Sequence, residues 1–417
     1  MAKQITIQHL YSTTSGNKPE ALELGEIAIN HADKQIYILD GDNEIVALGS
    51  NDEDSCLFER GSGTNSVVLK GTGCQATGNT AVAIGKGAKA YGDYSFAEGY
   101  YTIASNSNSH AEGYYAMASN SNSHAEGGST TASGYCSHAE GYNAIASGEG
   151  SHAEGYKTMA SGYYSHAEGQ GASATNYAAH AEGYYTIASG YNSHAEGAST
   201  IASGYYSHAE GWSTMASNTY SHAEGNYTTA SSQCAHAEGS RTTASGYCSH
   251  AEGDSTTASN QASHAEGDST TASGDRSHAE GWSTKASGSY SHAEGGFTTA
   301  SGSYSHAEGQ STTADSISSH AEGHGTIARN VSEHASGQYN ISTKEENATF
   351  GDTKNTLFSV GNGQHEGFKH NAFEIKQNGD IYIPNTSARG EYYQKEMVKL
   401  QDVLDCLITG VINCGEY

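Results

Sequence analysis

Apolar and polar positions alternate along most of the chain in two short bursts that return every 14 residues. In the unit 110–123, H-A-E-G-Y-Y-A-M-A-S-N-S-N-S, the first burst puts Ser109 and Ala111 on one face and His110 and Glu112 on the other. In the second burst, as at Thr158, Met159 and Ala160, Thr and Ala point inward and Met points out. Period-2 alternation over so few residues predicts short strands. The tetrapeptide His-Ala-Glu-Gly starts at His110 and recurs in register to His320, giving sixteen full copies. His334 keeps the register with Ser336 in place of Glu, and Phe96, Val82 and Val68 fill the same slot upstream. Counted this way, twenty units follow one another without an insertion, which predicts a solenoid.

Glycine closes the fourth slot of every unit between Gly71 and Gly337. The eleventh slot is mostly Gly or Asn, as at Asn106, Gly134, Gly148 and Asn218. Both residues tolerate positive φ, so two tight turns per coil are expected. The ninth slot is Ala throughout the repeat. Each coil is therefore two strands around a thin interior of Ser, Ala and Thr, too slight to stabilise one chain. Backbone ladders and a face buried against other chains must supply the rest. Twenty coils at ~4.8 Å predict a shaft of roughly 95 Å.

Composition narrows the function. Hydrophobic residues make up 35% of 417, and the net charge of −27 would suggest disorder were the bias not periodic and Pro limited to 2 residues. Such an acidic surface argues against nucleic acid. No apolar run reaches the ~20 residues of a membrane helix, and the N-terminus MAKQITIQHLYSTTSGNK lacks a signal-peptide core. Seven scattered Cys, at 56, 74, 136, 234, 248, 406 and 414, form no CxxC and suit inert thiols in a reducing compartment.

The outward face of the first strand repeats His110 and Glu112 as His124 and Glu126, His138 and Glu140, His152 and Glu154, His166 and Glu168, and onward. The outward slot of the second strand varies freely: Ile103, Met117, Thr131, Ser173, Lys285. A constant face meets a repeated partner, so the ladder is assigned to a trimer interface. Carboxylates stacked at ~4.8 Å would repel, and a His from the neighbouring chain would relieve them. Nearby Glu raises a His pKa and burial lowers it, so its direction stays open here. Three symmetry-related imidazoles could also grip an ion. No H-x-H or H-x3-H pair stands within a unit, so packing is expected, with no metal and no cofactor. Sixteen identical pairs without a nucleophile or a cleft-forming insertion do not read as an enzyme. Tyrosines gather in the turns and in the fifth and sixth slots: Tyr100, Tyr101, Tyr114, Tyr115, Tyr163, Tyr164, Tyr184, Tyr185, Tyr205 and Tyr206. Tyr163, Tyr164, Trp212 and Trp282 are candidates for stacking on a glycan, although padding of inter-chain grooves is the plainer role.

Residues 80–85, T-A-V-A-I-G, resemble the S-V-A-I-G motif in the head repeats of trimeric autotransporter adhesins, and the S-H-A-E-G units look like a variant of it. The resemblance spans about residues 66–342. It implies a left-handed parallel β-roll in a homotrimer, with His and Glu standing where the adhesins carry Val and Ile.

The ends differ. Residues 21–30 and 32–38 read as a β-hairpin module and resemble the L-x-x-G-E-x-A-I-N…D-x-x-I-Y segment of phage tail fibre N-termini, which attaches those fibres to the virion. Residues 357–363 and 371–383 read as a strand and a strand–turn–strand, similar to segments that follow such repeats in phage fibres. Many of those relatives continue into a self-cleaving chaperone with a Ser–Lys pair; no such domain follows here, so it is either not encoded or already removed. Residues 391–412 are expected to be helical, with Tyr393, Met397, Leu400, Leu404, Leu407 and Val411 spaced as a short trimeric coiled coil.

The expected fold is all-β: a trimeric left-handed parallel β-roll of about twenty 14-residue coils. Its expected divisions are a virion-attachment module at 1–57, the shaft at 58–342, a β cap at 343–390 and the coiled coil with its tail at 391–417. The expected function is a phage tail fibre protein on the virion, made in the host cytoplasm. It would bind tail or baseplate proteins through its N-terminus and a glycan or protein receptor on the host surface. A bacterial trimeric surface adhesin is the alternative, and would call for a signal peptide and a membrane β-barrel anchor. A glycan-degrading tailspike would need carboxylates in a groove that interrupts the repeat.

Overall fold

The computed structural model describes residues 9–16, 18–22, 26–39, 44–48, 57–343, 349–384 and 397–409. It is an all-β parallel solenoid of about 19 turns, with two compact units, Met1–Thr130 and Thr131–Tyr417.

The first unit opens with a four-stranded sheet in the order His9–Ser12, Ile27–Asn30, Gln35–Leu39, Ile45–Leu48. The predicted hairpin is present, with Ile27 opposite Ile38 and Asn30 opposite Gln35. Leu22, Ala28 and Tyr37 form its small core, with Leu39, Ile45 and Ala47 packed against them. The polar residues of the motif pin the loop before the hairpin. Buried Asn30 donates from Nδ2 to the Thr14 carbonyl at 2.9 Å and to Asp33 Oδ2 at 2.8 Å. Asp33 in turn accepts from Ser15 Oγ and from the Gly16 amide, each at 2.6 Å, which holds its carboxyl below the usual range.

The coils of this unit start where Phe58–Arg60 pairs antiparallel with Val67–Leu69. From there the long strands stack in parallel, Val82–Ile84, Phe96–Tyr100, His110–Tyr114 and His124–Gly128. One expectation is corrected here. Val67, not Val68, pairs with Val82, and Val68 pairs with Ala83. Val68 is only 5% exposed, so the apolar side chain enters the interior slot. The first coil therefore holds one residue more than the others, taken up in the turn before Gln75–Ala76.

In the second unit the long strands from His138–Tyr142 to His334–Gln338 form one parallel ladder, and the two-residue strands from Thr131–Ala132 to Ile327–Ala328 form another. Registers are strict: His152 pairs with His166 and Glu154 with Glu168. The last coil is covered by Thr356–Asn362, which pairs parallel with His334–Gln338. Asn371–Lys376 and Ile381–Pro384 follow antiparallel, as the strand–turn–strand reading anticipates.

The interior is as thin as the sequence implies. Ala fills the second and ninth slots, Thr or Ala the seventh, and mostly Ser the fourteenth, nearly all fully buried. The Ser hydroxyl donates to the carbonyl of the eleventh slot, for example Ser137 to Gly134 at 2.8 Å and Ser291 to Gly288 at 2.7 Å. That bond closes one turn of each coil.

The turns correct a second expectation. The fourth-slot Gly has positive φ, +112° at Gly155. The eleventh-slot Gly does not; at Gly148 the constraint is space, although other coils carry Asn in this slot, as at Asn106 and Asn218. A Cβ on Gly148 would lie 1.9 Å from the Gly162 carbonyl oxygen of the next coil. Positive φ falls instead on the sixth and thirteenth slots, on Tyr115 (56°), Lys157 (56°), Tyr164 (55°) and Arg276 (52°). A left-handed L-residue costs roughly 1–2 kcal/mol. The amides of these residues donate to the coil before, Tyr115 to the Tyr100 carbonyl at 2.8 Å and Tyr164 to Glu149 at 2.7 Å. The ladder thus continues around the corners and offsets the strain.

Among the described residues the C-terminal helix covers Leu400–Thr409, inside the expected span of 391–412. Met397 is not helical: Met397–Lys399 is a strand that pairs with the free edge of Ile381–Pro384. The physical reason is local. That edge offers unpaired backbone groups, Val398 is β-branched, and Lys399 Nζ reaches Asp380 at 2.8 Å. Leu400, Leu404 and Leu407 do lie on the helix, and Leu407 is 73% exposed. Tyr393 and Val411 lie outside the described residues.

Candidate functional site: the histidine–glutamate ladder and its aromatic corners

Each long strand from His110–Tyr114 to His320–His324 carries His in the first slot and Glu in the third. Two residues apart on a strand means the same face. Each His accordingly lies beside the Glu of its own chain. The Nε2–Oε2 separation is 3.9 Å for His110–Glu112, 3.8 Å for His124–Glu126, 3.9 Å for His138–Glu140, 3.9 Å for His152–Glu154 and 3.5 Å for His166–Glu168. The nearest described neighbour of each of these carboxylates is thus an imidazole of the same chain, at a distance too long for a good hydrogen bond.

Parallel in-register stacking also piles the imidazoles on one another. Ring centroids are 4.5 Å apart at His110–His124 and 4.8 Å apart at His138–His152, the latter tilted by only 4°. This settles the direction left open by the sequence. Burial first, and then repulsion from the His above and below, lower the pKa of His152, His180 and His236, and the neighbouring Glu residues only partly oppose it. At these positions the fold thus favours the neutral imidazole over the charged one. At the last coils the partner changes: His320 approaches Glu308 at 3.4 Å and His334 approaches Glu322 at 3.3 Å, each in the coil before. His334 has no Glu of its own because Ser336 stands there.

The aromatic residues occupy two different corners. At the fifth and sixth slots of the first unit, Tyr100 stacks on Tyr114 at 5.1 Å and Tyr101 on Tyr115 at 5.5 Å. In the second unit the twelfth and thirteenth slots carry a longer run. Tyr164 meets Tyr177 at 5.7 Å, Tyr177 meets Tyr191 at 4.9 Å and Tyr206 meets Tyr220 at 5.3 Å. Of the four candidate glycan contacts, Tyr163 and Tyr164 belong to this second corner and are exposed. Trp212 and Trp282 belong to the other corner, against Tyr227 at 6.3 Å and Phe297 at 4.4 Å. They are not one site. Tyr177, Tyr191 and Tyr220 complete the second row and were not singled out from sequence, although the 14-residue spacing from 163 to 205 carries the signal.

Glu333 was also missed. It replaces Ser in the fourteenth slot, so its carboxylate points inward and is fully buried. Oε2 accepts from the amides of Arg329 at 2.8 Å and Asn330 at 2.9 Å, from Asn330 Nδ2 at 2.7 Å and from Ser342 Oγ at 3.0 Å. Burial nonetheless pushes its pKa up. The break in the Ser column was the available clue.

Among known families, the YadA head domain repeat (2 copies) matches residues 76–102, 139–165, 153–175 and 181–207. The coils include YadA head repeats. The matched stretches hold both the Val-Ala-Ile-Gly form at 82–85 and the His-Ala-Glu-Gly form, so the second is a variant of the YadA head coil, as the resemblance implied. No curated protein sequence matches the chain significantly. No described helix is long and apolar enough to cross a membrane.

Proposed function

We propose that the chain forms a homotrimeric, non-enzymatic adhesive rod, with the His/Glu ladder turned toward the neighbouring protomers and the aromatic corners left outward for a surface glycan or protein. One observation carries this reading: a constant, half-buried His/Glu face runs along coils whose interior holds only Ala, Ser and Thr. An interior of small side chains gives each coil little apolar burial, so a further buried face is the missing stabilisation. Proteins of the YadA head family are homotrimeric adhesins, which fits. Light scattering tests it. The soluble species should have three times the 43.4 kDa chain mass; a well-folded monomer would sink the proposal.

For the carrier of this rod we favour a phage virion, with the N-terminal sheet as the attachment to tail or baseplate proteins and synthesis in the host cytoplasm. The support is the motif that places Asn30 and Asp33 as loop-pinning residues of the hairpin. A bacterial surface adhesin is the second reading, favoured by the YadA head match itself. Labelling with an antibody to the coils separates them: gold on phage tails supports the first, gold on the cell envelope the second.

A further inference from the structure

Along most of the ladder an imidazole and a carboxylate are neighbours in pairs. Toward the C-terminal end they close into threes: His264–Glu266–His278, His278–Glu280–His292, His292–Glu294–His306 and His320–Glu322–His334, each offering two ring nitrogens and a carboxylate oxygen within 4.8 Å of one another. The rings of these pairs lie 4.7, 4.7, 4.8 and 4.6 Å apart with tilts of 0°, 3°, 3° and 4°. Nε2 of His264, His278, His292, His306 and His320 is buried and makes no hydrogen bond with any described residue. The facing Glu oxygen stands 3.7 Å from His264, 3.9 Å from His278 and 3.6 Å from His292, too far for a good hydrogen bond. It is close to the spacing of two ligands on one ion. With metal–ligand bonds of ~2.0–2.1 Å, neighbouring donors on a tetrahedral ion sit about 3.3–3.5 Å apart.

We propose that these triples bind a divalent transition-metal ion, Zn2+ by ligand chemistry, through two imidazole nitrogens and one carboxylate oxygen of a single chain. The donor set selects the ion: imidazole with carboxylate suits zinc, copper or nickel, whereas calcium and magnesium prefer oxygen alone. The fourth position is left to water. Closing the triple takes a rotation of the Glu, about half exposed at Glu266 (47%) and Glu280 (49%), and a tilt of the two rings toward each other, because parallel rings 4.6–4.8 Å apart aim their nitrogens side by side and not at one point. Each Nε2 can serve one ion, so the middle triple competes with those on either side. Full loading is three ions per chain, on His264/His278, His292/His306 and His320/His334. All three protein ligands come from one protomer, and in the proposed trimer the ions would lie on the face turned toward the neighbouring chains. It adds a ligand role to a ladder expected to serve packing alone.

Calorimetric titration of the chelator-stripped full chain with zinc chloride at neutral pH tests this. About three tight sites per chain are expected. His278→Gln with His292→Gln and His334→Gln breaks all four triples and should abolish them, whereas Thr257→Ala, Thr271→Ala and Thr299→Ala on the other strand should leave them intact. Should the His variant fail to fold, Glu266→Gln, Glu280→Gln, Glu294→Gln and Glu322→Gln keep the shape and should equally abolish tight binding. Cobalt(II) gives a second readout, with the intense visible bands of tetrahedral coordination expected in the wild type alone. No tight uptake by the wild type, or uptake that grows with the number of His coils regardless of the triples, would overturn the proposal.

Discussion

The coil that begins at Val82 and the coil that begins at His110 share one backbone and differ almost wholly in what they show outside. Val82 and Ile84 occupy the outward slots of the first; His110 and Glu112 occupy those of the second. Between them Phe96 and Glu98 mix the two sets, and the Phe96 ring sits 5.0 Å from the His110 ring. Inside, both coils carry the same fully buried Ala, at Ala83 and Ala111. The fold therefore depends on the inward slots and the turns, while the outward face is free to change chemistry. An apolar outer ladder needs only burial. A His/Glu ladder needs each carboxylate to keep its imidazole.

Breaking the shared part should have the largest effect. A Cβ on Gly155 would stand 2.1 Å from the Gly169 carbonyl oxygen, at a φ of +112°. Gly155→Ala should cost about 3–5 kcal/mol, in the range of severe backbone strain, and show as a large drop in melting temperature. Exchanging only the outward face sharpens the contrast. His152→Ala, His166→Ala and His180→Ala together leave Glu154, Glu168 and Glu182 stacked without imidazoles. If that face is buried between protomers the set should lose on the order of 3–5 kcal/mol. The same coils rewritten as Val-Ala-Ile-Gly should melt at or above the wild-type temperature. An unchanged melting point for the Ala set would place the ladder in water.

Acid should distinguish the two kinds of coil next. His152, His180 and His236 hold their protons less tightly in the folded chain than free imidazole does, because of burial and of the His rings on either side, with Glu140 and Glu154 facing His152 in partial compensation. The unfolded chain therefore binds more protons in mild acid. Stability should be full above the ordinary histidine value of about 6.5 and fall as pH drops below it, until the folded ladder itself protonates. Melting curves from pH 8 to 5 should show this in the wild type and less of it in the Val-Ala-Ile-Gly version. Smaller again is the helix: Leu404→Asp with Leu407→Asp should weaken the trimer by about 1–2 kcal/mol, and Asp402→Lys should not. Equal effects in size-exclusion chromatography would deny the helix a clamping role. Least of all is the interior Thr column, whose buried Thr200 hydroxyl has no hydrogen-bond partner among the described residues. Thr200→Val should be neutral or stabilising by under about 1 kcal/mol, because no hydrogen bond is lost.

Much of the coil was legible because its rule is local. Strand alternation sends Ala111 in and His110 out whatever lies beyond the coil, and a strict 14-residue return leaves one register for the ladder. The hairpin at Ile27–Asn30 and Gln35–Leu39 and the strands of the cap were legible for the same reason. What escaped were features set by neighbours in space. Gly148 reads like a turn glycine, but the carbonyl of the next coil, not its own φ, forbids a side chain there. Val68 sits one residue off the repeat, which puts it, and not the larger Leu69, in the interior slot that Ala83 fills in the next coil.

The sequence by itself determined the solenoid, its inward and outward faces and the constancy of the ladder, since these follow from period and side-chain size. Only the tertiary structure decided which partner each group meets. Burial and stacking at strand spacing, imidazole on imidazole, lower the pKa of ladder residues such as His152; a free sheet edge captures Met397–Lys399 as strand before the helix can begin; and a single Glu in the Ser column becomes a buried carboxylate. Each outcome turns on desolvation and on hydrogen-bond partners many residues away, which no local pattern encodes.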